Sequence, residues 1–182
     1  MVWLLLIWFV ILIVLGLGYF VIQRRYRKIV QMTFPNMTRQ DRLIRNWRIK
    51  DYWLESSVSA IYWHYLKLVL NGFALLSAGG FLSAGLGMSL VTQYQAFLLL
   101  MGFVFYLGIA FWLLVGFSVL ISGLRIYPKR RVLKNYLSAH SDNRLKMVVL
   151  PERMTRFIII WHGAGVIFAW LTVAILVIMM KV

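Results

Sequence analysis

The sequence predicts an all-α, polytopic membrane protein: four transmembrane helices in a helical bundle, with two basic loops on the cytoplasmic side. Three observations lead there. The 182 residues are 62% hydrophobic, with a mean hydropathy of +0.80, far above the roughly 45–50% apolar content of soluble domains. The apolar residues fall into long runs, each of spanning length. The charge falls between those runs: 20 Lys and Arg against 5 Asp and Glu give a formal net charge of +15. Because each span uses about 20 residues, little chain is left for anything else, and residues 1–182 read as a single membrane domain.

The first span is predicted over residues 2–22, an uncharged run with Trp3 and Trp8 near one end and Tyr19 near the other. Its positive charges follow it, as Arg24, Arg25, Arg27 and Lys28, where a cleaved signal peptide would carry them in front. The segment therefore reads as a retained span with its N-terminus outside. Residues 23–57 form the first basic connection, with nine Lys/Arg against Asp41, Asp51 and Glu55, a local net charge of +6. Pro35 and Asn36 punctuate it, Thr38 with Asp41 approximates a capping box, and Leu43, Ile44, Trp47 and Leu54 form a partial apolar stripe. Together they predict a surface helix with a ragged apolar face.

The second span is predicted over 60–91. Between Val58 and Val91 the only charge is Lys67, and the stretch exceeds one crossing, so its first turns ride in the interface with Lys67 snorkelling outward. Thr92 to Gln95 is a short polar break before the uncharged third span, 96–124, which predicts a two-helix hairpin. Residues 125–156 form the second basic connection, nine Lys/Arg against Asp142 and Glu152 for a net +7. Pro128, the cluster from Ser138 to Asn143, and Pro151 act as its breakers. The last span, 157–180, is closed by Lys181.

Eighteen of the twenty Lys/Arg residues lie in the two connections, and four spans put both on one side. Positive charge is retained in the cytoplasm during insertion, so the loops face inward and both termini face outward. The expected location is a bacterial inner (plasma) membrane. Arg24, Arg25, Arg27, Lys28, Lys129, Arg130 and Arg131 are then candidate contacts to anionic lipid headgroups or to a docked partner. A nucleic-acid partner has no recognised motif behind it.

Within the spans, Leu76 to Gly87 reads LSAGGFLSAGLG and places Gly79, Ser83 and Gly87 four residues apart on one helix face. In lipid, helices associate chiefly through close backbone approach across small residues. Gly79, Ser83 and Gly87, with Gly108 and Gly116 in the third span and Gly165 in the fourth, are therefore candidate helix-packing positions, within the chain or against another subunit. His64 and His162 follow similar tetrads, IYWH and IIWH, at the start of two outward-running spans. Paired imidazoles in a four-helix membrane bundle could ligate a haem iron. No other cofactor is expected.

Catalytic chemistry has little to work with. All five carboxylates lie in the loops and there is no Cys, which removes intramembrane proton relays, thiolate metal sites and cysteine nucleophiles. No nucleotide-binding glycine loop, HExxH or GxSxG occurs. The expectation is no enzyme and no metal, but a non-catalytic subunit or assembly factor of a larger inner-membrane complex, a secretion or conjugation apparatus for example. Small-residue helix faces and basic loops would dock its partners: other integral subunits or further copies of itself. The competing readings are a small b-type haem protein using His64 and His162, and a small transporter or channel.

Overall fold

The computed structural model describes residues 2–180, and Lys181, expected to close the last span, lies outside them. Among the described residues there are six helices: α1 (Val2–Thr33), α2 (Arg39–Glu55), α3 (Val58–Met88), α4 (Tyr94–Leu124), α5 (Ile126–Ala139) and α6 (Glu152–Met179). The fold is all-α. Four apolar segments, in α1, α3, α4 and α6, are long enough to cross a membrane, as expected of a multi-pass integral membrane protein. At 28 to 32 residues, these helices run about 42–48 Å at 1.5 Å per residue, well beyond a hydrocarbon core of ~30 Å.

That excess length shows that helix and span need not end together. The span expected to end at residue 22 continues as one helix to Thr33. Leaving the hydrocarbon does not end a helix, since Arg and Lys are good helix formers, and nothing breaks the backbone before Pro35. The first connection is thus mostly helical. Its loop proper is residues 34–38, and α2 begins at a complete capping box: Thr38 Oγ1 accepts from Asp41 N, while Asp41 Oδ2 accepts from Thr38 N at 3.0 Å.

The buried face of α2 is not the expected stripe. Leu43, Ile44 and Trp47 are exposed, and the helix instead buries Arg45, Ile49 and Trp53 at four-residue spacing. The second connection is likewise largely ordered. Pro128 does not separate α5 from the membrane helix by a loop; it sits in the first turn of α5, where its missing N–H and its ring deprive the Leu124 carbonyl four residues back of a partner. Leu124 is where α4 stops, and Arg125 alone intervenes.

The chain forms two compact units. The first comprises Met1–His64 and Gly123–His162. In it, α2, α5 and the irregular segment 140–151 share a small core of Ile49, Tyr136 and Met147, flanked by Tyr52, Leu133, Leu137 and Leu145. The two basic connections are therefore one packed body. At the start of α6, Trp161 Nε1 donates to the Leu15 carbonyl of α1 at 3.0 Å, and its indole lies against Gly18.

The second unit comprises Tyr65–Ser122 and Gly163–Val182. Its interior mixes small side chains, Ala74 and Ala84 of α3, Gly108, Gly116 and Ser118 of α4 and Ala169 of α6, with the larger Ile121, Val166 and Phe168. Across α3 and α4, Ser118 Oγ donates to Asn71 Oδ1 at 2.5 Å. In a bilayer such a bond is worth about 0.6–2 kcal/mol. Trp112 and Phe168 meet edge to face at 5.6 Å between α4 and α6.

Candidate functional site

The site is best built outward from Arg45, because among the described residues it is the one buried charged side chain, 5% exposed. Three elements hold its guanidinium. Nε donates to the Lys146 carbonyl at 2.7 Å, one terminal nitrogen donates to Asn46 Oδ1 at 3.2 Å, and the other donates to the Tyr26 hydroxyl of α1 at 3.4 Å. No carboxylate is among these partners. Arg144 pairs with Asp142, and Arg156 with Glu152; both pairs are exposed and contribute little.

The segment that supplies the Lys146 carbonyl is held in shape by Asn143. Its side chain accepts from Met147 N at 2.8 Å and donates to Met147 O at 3.0 Å, bracketing the turn. Asn143 and Lys146 both adopt left-handed backbone, with φ of 38° and 48°. Asn tolerates this conformation, whereas a long side chain such as Lys meets a steric cost there. Met147, 2% exposed, anchors the strained turn in the shared core. His140 stacks on Tyr136 at 4.4 Å, and Tyr136 meets Tyr52 edge to face at 4.9 Å.

Beside Arg45 lies a cavity of about 140 Å³ lined by Asp41, Ile44, Arg45, Arg48, Arg144, Leu145 and Lys146. Four cations and one carboxylate line it. Asp41 is committed to capping: the Thr38 hydroxyl and amide, with Lys146 adding a smaller attraction, hold its carboxyl below the usual range for aspartate. A second cation is half-buried at the other end of α2. The Arg125 guanidinium lies 4.2 Å from the centre of the Trp53 ring and reaches towards the Trp63 carbonyl at 3.5 Å.

Of the basic residues singled out from sequence, Arg24, Arg25, Arg27, Lys28, Lys129 and Arg131 are exposed. Arg130 is instead tied into the fold through Nε to the Leu150 carbonyl at 3.3 Å. The small residues divide. A side chain at Gly108 would touch Leu176 and Phe81, one at Gly116 would press on Trp170, and one at Gly165 would reach Val119. Gly79 and Gly87 meet nothing within 4 Å, and Ser83 donates to the Gly79 carbonyl of its own helix at 2.7 Å. The face of α3 turned into the chain carries Ala74, Gly80 and Ala84.

His162 is held locally: Nδ1 lies 2.7 Å from the Ile158 carbonyl, and the ring meets Tyr19 edge to face at 5.2 Å. His64 is half-buried in α3. Among the described residues, no cluster of His, Cys, Asp and Glu suited to a metal ion occurs.

Sequence reasoning missed Arg45, Arg48, Lys146 and Tyr26 as a group. Their one local cue was the capping box, which fixes where α2 starts and hence which of its residues share a face. No protein-family model, curated protein or solved structure matches the chain.

Proposed function

We infer that this chain is a non-catalytic, multi-pass subunit or assembly factor of a larger membrane assembly, with its basic module on the cytoplasmic side of a bacterial inner membrane. The observation that carries the reading is the packing of the two basic connections into one body around Ile49, Tyr136 and Met147. Topology alone needs only charge beside each span. It does not need a core, a cap and a strained turn that together fix those charges in space. A fixed cationic surface suits a partner that reads geometry, whereas lipid attraction sums charge at about 1 kcal/mol per residue wherever it sits. Gly79 and Gly87, unfilled within the chain, give the membrane-embedded part a place for a neighbouring helix.

The test separates geometry from charge. Arg24, Arg25 and Arg131 are changed together to Lys or to Gln, and the tagged protein is recovered from native membranes with whatever accompanies it. Defined integral subunits should co-purify with wild type. They should be reduced by the Lys variant, because Lys lacks the planar bidentate contacts of Arg, and lost with the Gln variant. Recovery of the same partners with all three proteins assigns these arginines to orientation alone. Recovery of none with wild type removes the subunit reading.

A further inference from the structure

We propose that the cavity beside Arg45 is a binding site for a phosphate group. The strongest reason is the state of Arg45 itself: buried, charged at any physiological pH, and bonded only to neutral acceptors. Burying a cation without an anion is costly, and folded proteins resolve that cost with a counter-ion. Asp41 lines the same cavity but is bonded to Thr38, and the hydrogen-bond partners of Arg45 are all neutral. Three of the five guanidinium N–H groups go to Lys146, Asn46 and Tyr26, which leaves one on each terminal nitrogen for the two-pronged contact that Arg makes with phosphate.

The surroundings match that ligand. Arg48, Arg144 and Lys146 bring the lining to four cations against Asp41; Arg144 is itself paired with Asp142, and Asp41 has its Oδ2 occupied by Thr38. A volume of about 140 Å³ is close to the ~150 Å³ cavity that accepts a benzene ring. It has room for a phosphate head. The left-handed backbone at Lys146 presents the carbonyl that orients Arg45, so local strain is spent on aiming the guanidinium. Two sources share this chemistry, an anionic lipid headgroup and free phosphate. Ile44 lines the cavity, and Leu43 and Trp47 stand exposed on the same helix, as expected of a helix that touches the headgroup region, where Trp is enriched.

Two substitutions remove cations without touching Arg45. Lys146→Gly keeps the carbonyl and relieves the left-handed strain, and Arg48→Gln alters an exposed side chain. Calorimetric titrations of purified protein in maltoside micelles use inorganic phosphate in one arm and dihexanoyl phosphatidic acid in another. Potassium chloride at matched ionic strength and octyl glucoside serve as blanks. Wild type should show saturable binding absent from both blanks. The double variant should bind about tenfold more weakly, the cost of a lost charge-assisted bond, with its ligand-free melting temperature retained.

Arg24→Gln with Arg131→Gln should weaken binding by no more than about threefold, as exposed charges do. Binding of both probes identifies the phosphate group as the determinant. Binding of the lipid alone identifies a headgroup site, and binding of inorganic phosphate alone a site for a soluble anion. Absence of saturable binding to either, or binding undiminished in the double variant, overturns the site. Neither Arg48 nor Lys146 is altered in the partner-capture variants, so the pocket and the subunit reading fail separately.

Discussion

Replacing Gly18 with alanine would place a methyl group inside the Trp161 indole, against the carbons of its six-membered ring and against Nε1. The ring cannot simply swing away, because Nε1 is bonded to the Leu15 carbonyl at 3.0 Å. Two costs therefore add. Overpacking a filled contact costs about 1–3 kcal/mol, and loss of the indole hydrogen bond in the membrane costs about 0.6–2 kcal/mol. Alanine returns up to about 1 kcal/mol through helix propensity. The net loss should be roughly 1–4 kcal/mol.

Unfolding from maltoside micelles by added dodecyl sulfate, followed by circular dichroism, measures it. Gly16→Ala is the internal control, since it lies two residues away in the same helix and meets nothing within 4 Å. It should be neutral or stabilising. In a Trp161→Ala background the cost of Gly18→Ala should largely vanish, which makes the two sites coupled. Equal midpoints for Gly16→Ala and Gly18→Ala would refute the reasoning, as would full additivity with Trp161→Ala.

Gly79→Leu and Gly87→Leu should leave the unfolding midpoint of the isolated chain unchanged while abolishing association with other helices; Ser83→Ala should do neither, and a native gel beside the same unfolding assay checks all three. Unfolding of the isolated chain by Gly79→Leu would mean that α3 is rotated from the position described. The Asp41 carboxyl, held below its usual range by Thr38, should titrate below exposed carboxylates in a carbon-detected NMR titration. The cap's contribution is complete above the unfolded carboxyl's pKa and is lost as pH falls through the lower folded value, so Asp41→Asn should remove this part of the acid sensitivity of α2. Trp53→Ala should cost about 3–5 kcal/mol, and Trp53→Leu less, because it retains bulk but not the ring under Arg125; the same unfolding assay compares them.

The membrane class was legible because composition and run length bear directly on it, and the start of α2 was legible because Thr38 and Asp41 act over three residues. What α2 buries was not. A charged residue in a polar helix reads as solvent-facing, and it is distant partners, the Tyr26 hydroxyl and the Lys146 carbonyl 101 residues along the chain, that meet position 45 in the interior. The continuation of α1 to Thr33 was not legible either, since hydropathy reports the edge of the hydrocarbon and not the edge of the helix. Spacing identified a small-residue helix in α3, yet it could not decide between the adjacent Gly79 and Gly80. Rotation about the axis decides that, and the rotation is set by Leu107 packing on Gly80.

The separation of 101 residues between Arg45 and its carbonyl acceptor also sets an order of events during synthesis. At about 5–20 residues per second, Arg45 emerges from the ribosome roughly 5–20 s before Lys146. Two further spans, α3 and α4, must enter the bilayer in that interval. Throughout it the guanidinium has no Lys146 carbonyl to bond and is met by water instead. Only once the second connection arrives on the same face can the turn close over it. The side chain is therefore solvated first and interior later, held by a carbonyl that the chain supplies only after both helices of the intervening hairpin have been made.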